Sequence, residues 1–127
     1  MKAVLSNHRQ SVRKTKLVAD LVRGKRVLDA KRVLMFTDKK AAGVFEKLLD
    51  SAIANARGAG HSAENLFIKE VKVDKGVEMR RYMPRSRGRA TQYRRGASHL
   101  KIVLGTVTTS VKKAAKKATK KTAKKTA

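Results

Sequence analysis

An arginine-rich segment dominates the second half of the chain. The stretch from Arg80 to Arg95, RRYMPRSRGRATQYRR, contains seven arginines in sixteen residues, with no acidic residue and no lysine. A guanidinium presents a flat fork of donors that grips a phosphate at two points and stacks on nucleobases, whereas a lysine ammonium is a hydrated point charge. The interleaved Tyr82 and Tyr93 are equally compatible with base stacking and with packing on the segment's own backbone. The segment favours folded RNA, which crowds phosphates together and exposes bases.

The whole chain is strongly basic, and its charge is unevenly distributed. Its 127 residues include 33 Lys and Arg but only 9 Asp and Glu, which gives a formal net charge of +24. Such an excess predicts a polyanionic partner, and nucleic acid is favoured because each neutralised phosphate releases condensed counterions. All nine acids fall between Asp20 and Glu78. We therefore expect the region after Glu78 to be the main interaction region.

Several other classes of protein are disfavoured by the sequence. The chain has no cysteine, which excludes disulfides and thiol chemistry, and a zinc site would have only three scattered histidines. No apolar run approaches the roughly 18 to 20 residues that span a bilayer, and the N-terminus lacks the pattern of a secretion signal. No nucleophile with an adjacent base is present. We expect a cytoplasmic protein that is not an enzyme, with no metal, no cofactor and no membrane partner.

Three segments have the apolar spacing of amphipathic helices. The first is predicted over residues 12–23, with an apolar face formed by Leu17, Val18, Leu21 and Val22 and a stop at Gly24. The second is predicted to begin near Val27 and to end before Phe36. The third has a continuous apolar stripe over residues 41–56 that ends at Gly58. Thr37 or Asp38 is predicted to cap it, because a side-chain oxygen accepts from the free amides of a first helical turn.

Strand signals surround the arginine-rich segment. Residues 1–5 predict an edge strand, residues 66–76 are rich in branched side chains, and residues 99–107 place Leu100, Ile102 and Leu104 on one face. If the second and third of these strands pair antiparallel, residues 75–98 form a long hairpin that projects about 35 Å. Pro84 and Gly88 indicate a turn or irregular tip.

The hairpin has few apolar residues and many like charges. A two-stranded hairpin without a covering layer is marginal in water, so we expect it to be mobile in the free protein and to be completed by a bound polyanion. We interpret Asp74 and Glu78 as partners of Lys72 and Lys75 at the hairpin base rather than as paired catalytic carboxylates.

The C-terminal residues differ from the rest of the chain in composition. Residues 109–127 contain eight lysines together with alanine, threonine, one serine and one valine. This low-complexity polycation is predicted to be disordered. The remaining residues, 1–108, are enough for one small domain.

Three stretches identify a family resemblance. LVADLVRGK, KKAAGVFEKLLDSAIANA and RRYMPRSRGRATQYRRGASHLKIVL are similar to the bacterial type of the family of protein 22 of the large ribosomal subunit, over residues 1 to about 107. The resemblance implies an α+β fold with three helices packed on a small three-stranded antiparallel sheet. It also implies a structural ribosomal protein that binds several domains of the large-subunit rRNA, aids assembly and lines the nascent-peptide exit tunnel with its hairpin.

The resemblance also implies functional residues and partners. The implied rRNA-binding residues are Arg9, Arg13, Lys14, Lys16, Arg80, Arg81, Arg85, Arg87, Arg89, Arg94 and Arg95. The implied tunnel-lining tip consists of Arg81, Met83, Pro84, Arg85, Ser86, Arg87, Gly88 and Arg89. Expected partners are large-subunit rRNA, neighbouring ribosomal proteins and the nascent peptide, without a homo-oligomer. The alternative is a polycationic DNA-binding protein that compacts a nucleoid or chromatin, since the lysine-rich tail is similar to linker-histone tails.

Overall fold

Helices and strands occur in the order that the sequence predicts. The computed structural model describes residues 1–106, and the predicted disorder of residues 109–127 lies outside them. Its elements are β1 (Lys2–His8), α1 (Val12–Val22), α2 (Val27–Met35), α3 (Ala42–Gly58), β2 (Leu66–Pro84) and β3 (Ala90–Thr106), with short 3-10 turns at Ala63–Asn65 and Ser86–Gly88. Three helices pack on a three-stranded sheet, which confirms the predicted α+β class.

β3 is the central strand of the antiparallel sheet, whose order is β1-β3-β2. The sheet face towards the helices carries Leu100, Ile102 and Leu104, all of them buried as predicted. On β2 the strict alternation of buried and exposed residues is interrupted, because the register with β3 shifts between Ile68 and Glu70. This bulge brings both Ile68 and Val71 into the core although they are three residues apart.

Helix α3 forms the centre of the core. Its buried stripe recurs at three- and four-residue steps and consists of Phe45, Leu48, Leu49, Ala52 and Ala56. The helix contacts α2, β1 and β3, and it ends at Gly58 as the sequence predicts. Phe45 and Leu49 are completely inaccessible to solvent. Burying side chains of this size accounts for much of the stability of a small core.

The predicted apolar face of α1 is wrong at two positions. Leu17 and Leu21 are exposed, at 62% and 45% respectively. The buried positions are instead Thr15, Val18, Ala19 and Val22. The Thr15 side chain lies in the core because its hydroxyl donates to the Ser11 carbonyl at 3.1 Å and lies 3.4 Å from the Ser98 hydroxyl. Because its hydroxyl has hydrogen-bonding partners, Thr15 can be buried. The buried side of α1 therefore includes Thr15, and Leu17 and Leu21 lie on the outer face.

The predicted cap of α3 is also wrong. The N-cap position is Ala41, which has no side chain able to accept a hydrogen bond. Thr37 instead donates its hydroxyl proton to the Val33 carbonyl at 2.6 Å, at the end of α2. The backbone carbonyl of Lys39 accepts from the Ala42 amide at 2.8 Å. Backbone turns between the two helices therefore satisfy an amide for which a side chain was expected.

Candidate nucleic-acid interface

A paired but uncovered arm extends from the sheet. We define the arm as residues 76–97. Beyond the base of the arm, β2 and β3 pair continuously from Glu78 opposite Gly96 to Pro84 opposite Ala90. The residues from Gly76 to Pro84 span about 30 Å at the rise of an extended strand. None of the arm's residues is buried. The arm therefore offers nearly all of its side chains to a partner.

A bulge marks the point where the arm leaves the rest of the molecule. Lys75 lies opposite Ser98, but the next pair is Glu78 with Gly96, so two residues of β2 face one residue of β3. Gly76 fits closely here: a Cβ on it would lie 3.2 Å from the backbone C and O of Ala97 and 3.3 Å from Nε2 of His99. Glycine thus permits the close approach of the two strands at the arm base.

The acidic residues near the base form ion pairs. Glu78 lies 3.0 Å from the Lys75 ammonium and 3.9 Å from the Arg94 guanidinium. The Lys75 hydrogen bond lowers the pKa of Glu78 below its ordinary value, and the charges of Lys75, Arg94 and Arg80 lower it further. The lowered pKa favours the ionised form of Glu78, which suits its role in these ion pairs. The predicted balance of Lys75 by Glu78 is confirmed, but Lys72 pairs with Glu70 at 3.2 Å rather than with Asp74.

The arm has two different faces. In the antiparallel register Arg80 lies directly opposite Arg94, and Arg81 lies directly opposite Tyr93. Like charges in opposite positions destabilise an isolated ladder. On the face of Tyr93, the guanidinium of Arg95 lies 5.7 Å from the centre of the tyrosine ring, a cation-π contact. Tyr93 thus packs within the arm, whereas Tyr82 is 69% exposed and free to stack on a base.

The tip of the arm is a tight turn of arginines. Pro84 ends β2, and the Arg85 amide donates to the Arg89 carbonyl at 2.7 Å across the turn. Arg87 and Gly88 both have positive φ, at 59° and 68°. The left-handed conformation costs about 1 kcal/mol for a residue such as arginine. The predicted turn at Pro84 and Gly88 is confirmed, and it presents three exposed arginines at the end of the arm.

A groove lies between the base of the arm and the segment that leads into α1. Its volume is about 840 Å³. We call it the basic groove, because its lining contains five cations and no acid: Arg9, Lys14, Lys40, Arg81 and Arg95. The apolar side chains of Val77 and Met79 also line it, together with the polar residues Asn7, Gln10 and Ser11 and the small residues Gly96 and Ala97.

Polar contacts fix the two walls of the basic groove relative to each other. The buried hydroxyls of Thr15 and Ser98 connect α1 to β3 directly beside the groove. The Asn7 amide donates to Nδ1 of His99 at 3.2 Å, which joins the end of β1 to the same part of β3. Asn7 has a positive φ of 55°, within the register shift between Leu5 and His8. The loop and the arm base are therefore held in a defined relation before any ligand binds.

The structure brings together four of the residues that the sequence singled out. Arg9 and Lys14 from the N-terminal segment meet Arg81 and Arg95 from the arm. The remaining predicted residues lie elsewhere and are exposed: Arg13 and Lys16 on α1, Arg80 and Arg94 on the other face of the arm, and Arg85, Arg87 and Arg89 at the tip with Met83, Pro84, Ser86 and Gly88.

Three further members of the site, Lys40, Val77 and Met79, are not indicated as site residues by any pattern in the sequence. Lys40 lies in the turn before α3, and no local pattern connects it to the arm. Gly76 lies inside a predicted strand, and an isolated glycine in a strand often marks a bulge that redirects the neighbouring side chains. It is the one sequence feature that points to the unusual position of Val77 and Met79.

Residues 1–106 contain neither a metal-binding cluster nor a membrane-spanning helix. No three His, Asp or Glu side chains of these residues are grouped so that they would hold a metal ion. None of the helices formed by them has the combined length and apolar character needed to cross a membrane.

The chain is similar to known proteins over both its helical part and its arm. The profile of the family described as ribosomal protein L22p/L17e matches residues 3–105. The large ribosomal subunit protein uL22 of Syntrophotalea carbinolica is 46% identical over 104 residues, which cover 81% of this chain and 94% of that protein. The large ribosomal subunit protein uL22 of Syntrophobacter fumaroxidans is 47% identical over 105 residues, which cover 82% of this chain and 96% of that protein.

Proposed function

The chain belongs to the ribosomal protein L22p/L17e family and is a structural, non-enzymatic constituent of the large ribosomal subunit; we propose that it binds 23S-type rRNA through the basic groove and the arm. The observation that supports this best is the clustering of five cations without an acid in the groove, from three separate parts of the chain. Concave surfaces lined by one sign of charge concentrate an oppositely charged partner.

The arm extends the proposed interface in a second direction. Arg85 lies four residues beyond Arg81, so the arginines of the tip begin about 14 Å past the outer end of the groove and about 27 Å past Val77 at its inner end. Two arginine-rich surfaces so far apart would contact separate parts of a folded RNA at once. The protein would then bind several rRNA domains, and by holding them together it would aid subunit assembly. Arg13 and Lys16 on α1, and Arg80 and Arg94 on the second face of the arm, would add phosphate contacts.

We assign the tip of the arm to the nascent-peptide exit tunnel. The support is the positional resemblance of Arg81–Arg89 to the hairpin end of the family, and the slender shape of an arm exposed on all sides. Its partners there would be rRNA and the nascent peptide, while residues outside the arm would contact neighbouring ribosomal proteins. In this proposal residues 1–108 form the rRNA-binding domain, and residues 109–127 are accessory.

Deleting residues 109–127 tests this proposal against the alternative of a DNA-compacting protein. We expect tagged residues 1–108 to sediment with large subunits as the full chain does. The DNA-compacting alternative predicts that the deletion abolishes nucleic-acid binding. It also predicts that the full chain binds duplex DNA and rRNA with similar affinity. Either result would contradict the proposal.

A matched pair of variants localises the interface. Arg81→Gln with Arg95→Gln removes two cations of the basic groove, and Lys47→Gln with Arg57→Gln removes two exposed cations of α3. We expect the first pair to weaken association with the large subunit and the second pair to have the smaller effect. An equal effect of both pairs would show that only total charge matters.

A further inference from the structure

The basic groove contains an apolar surface that a purely electrostatic site does not need. Val77 is 58% exposed and Met79 is 52% exposed. Both belong to the lining of the groove together with Arg81. Since they are two residues apart in a strand, Val77, Met79 and Arg81 lie on one face of the arm. The groove therefore joins an exposed apolar floor to a rim of cations.

This combination distinguishes between forms of RNA. A fully paired duplex presents phosphates and ribose on its outside and stacks its base faces inside, so it would engage the cations and leave the apolar floor uncovered. An unpaired nucleotide presents a flat base that covers apolar surface, and its two flanking phosphates remain available to the cations. A volume of about 840 Å³ is in the range of pockets that hold small organic molecules.

Polar groups at the edge of the floor suit a base as well. Asn7 and Gln10 line the same groove and carry side-chain amides, which both donate and accept hydrogen bonds. The Gln10 oxygen lies 3.1 Å from Nε2 of His8, so its NH₂ group remains to donate. These amides would bond to the edge of a base that lies on Val77 and Met79.

We propose that the basic groove is a subsite for a single unpaired RNA nucleotide, with its base on Val77 and Met79 and its flanking phosphates on the surrounding cations. This inference rests on the proposed function, since it names the part of the RNA that the groove receives. The site takes a bulged or looped-out nucleotide rather than continuous duplex. The bulge contributes to the site, because Gly76 and Val77 together face Ala97 there, and both Val77 and Ala97 line the groove.

Two RNA hairpins test the proposal on the full-length protein. They share one stem sequence, and one of them contains a single unpaired 2-aminopurine nucleotide. We expect wild-type protein to bind the bulged RNA about tenfold more tightly than the paired one, the amount associated with one stacked base. The 2-aminopurine fluorescence should change on binding. The lysine tail acts on both RNAs alike, so the ratio of the two affinities is the informative quantity.

Three variants locate the effect. Val77→Thr with Met79→Gln keeps side-chain size and charge, and we expect it to lose the preference for bulged RNA while the salt dependence of binding stays the same. Met83→Gln is the matched control, since Met83 lies on the same face of the arm but does not line the groove. It should keep the preference. Arg81→Gln with Arg95→Gln should weaken binding of both RNAs.

The outcomes separate this inference from the proposed function. Equal wild-type affinity for both RNAs, with Arg81 and Arg95 still required, would overturn the nucleotide subsite alone. A preference that survives Val77→Thr with Met79→Gln would do the same. Failure to bind either RNA would overturn both proposals. Binding of an acidic peptide more tightly than either RNA would assign the groove to a protein partner and contradict both.

Discussion

The arm and the rest of the described chain are built on different physical principles. Every buried hydrophobic residue among residues 1–106 lies outside the arm, in what we call the body: residues 1–75 and 98–106. The arm, residues 76–97, buries none of its side chains. Burial fixes the shape of the body, whereas the arm has only its backbone ladder and a few surface contacts. The arm therefore depends on a partner for a stable shape.

Charge follows the same division. Four of the eight acids of the body pair with neighbouring cations, as Asp20 does with Arg23 at 2.8 Å and Asp50 with Lys31 at 3.0 Å. In the arm the sole acid is Glu78, at the base, and the seven arginines beyond it have no other acid within the arm. Eight acids thus offset eight of the 18 basic side chains of the body, whereas in the arm one acid offsets one of seven. The arm leaves its charge for a polyanion, which would provide both countercharge and packing surface.

Truncating one aromatic residue in each region should give the largest difference. Phe45→Ala in the core should lower the free energy of unfolding by about 3 to 5 kcal/mol, because it removes buried surface and leaves a cavity. Tyr82→Ala in the arm should change it by less than about 0.5 kcal/mol. Urea unfolding measures both. Comparable losses would mean that the arm contributes to the core, which would invalidate the division.

The arginines of the tip should affect RNA binding rather than stability. Replacing Arg85, Arg87 and Arg89 together by glutamine should reduce the slope of log affinity for rRNA against log salt concentration by about 2, since each phosphate contact contributes about 0.7 to 0.9. Replacing the same three by lysine is the matched control, which should keep the slope but weaken binding through loss of the two-point grip. A lysine variant indistinguishable from wild type would show that charge alone matters at the tip.

The two glycines at the base should respond differently to alanine. Gly76→Ala places a Cβ 3.2 Å from the Ala97 carbonyl group, so the backbone at the bulge must shift by a few tenths of an ångström. We expect a loss of about 1 to 3 kcal/mol in the free energy of unfolding. For Gly96→Ala the nearest atoms belong to Glu78 at 3.9 and 4.0 Å, so the change should be small. Equal behaviour in urea unfolding would contradict the close approach at the bulge.

The smallest expected effect concerns Glu78 and pH. Its pKa is lowered from an ordinary value of 4.5 by Lys75 first and then by the arginines. A lowered pKa stabilises the folded state above the unfolded value, and this contribution disappears as pH falls through the folded value. The ion pairs of Glu78 should give residues 78 and 96, at the arm base, more amide protection than the outer part of the arm. This partial protection should decrease below pH 4.5 in wild type but not in Glu78→Gln. Glu64 is remote from the arm, so Glu64→Gln should keep the pH dependence of the wild type. If Glu64→Gln also abolished it, the pH dependence would not come from the ion pairs of Glu78.

The sequence predicted those features that depend on local periodicity. The stripe of α3, from Phe45 to Ala56, was visible because buried residues recur at helical spacing. The inward face of β3 was visible from Leu100, Ile102 and Leu104. The arm was predicted from its charge and from the strands on either side, and the bounds of α2 agree with the expected end before Phe36.

Features that depend on distant contacts were not predictable. Thr15 replaces Leu17 in the buried stripe because its hydroxyl reaches Ser98, which is 83 residues away. At the junction of α2 and α3 the unpredicted contacts are local: Thr37 could cap either helix, and it bonds to the Val33 carbonyl of α2 while the Lys39 carbonyl accepts from the Ala42 amide. The basic groove unites Arg9, Lys40 and Arg95, and only the folded chain shows that they share one surface.

Hydrogen exchange of the full-length protein with and without large-subunit rRNA tests the central claim most directly. In free protein at about 0.1 M salt we expect amides of the arm, such as those of residues 80–83, to exchange rapidly while those of Leu100–Leu104 and α3 are protected. Adding rRNA should slow exchange throughout the arm and change the core little. If the free arm is already as protected as the body, and rRNA does not alter it, the claim that the partner completes the arm is contradicted.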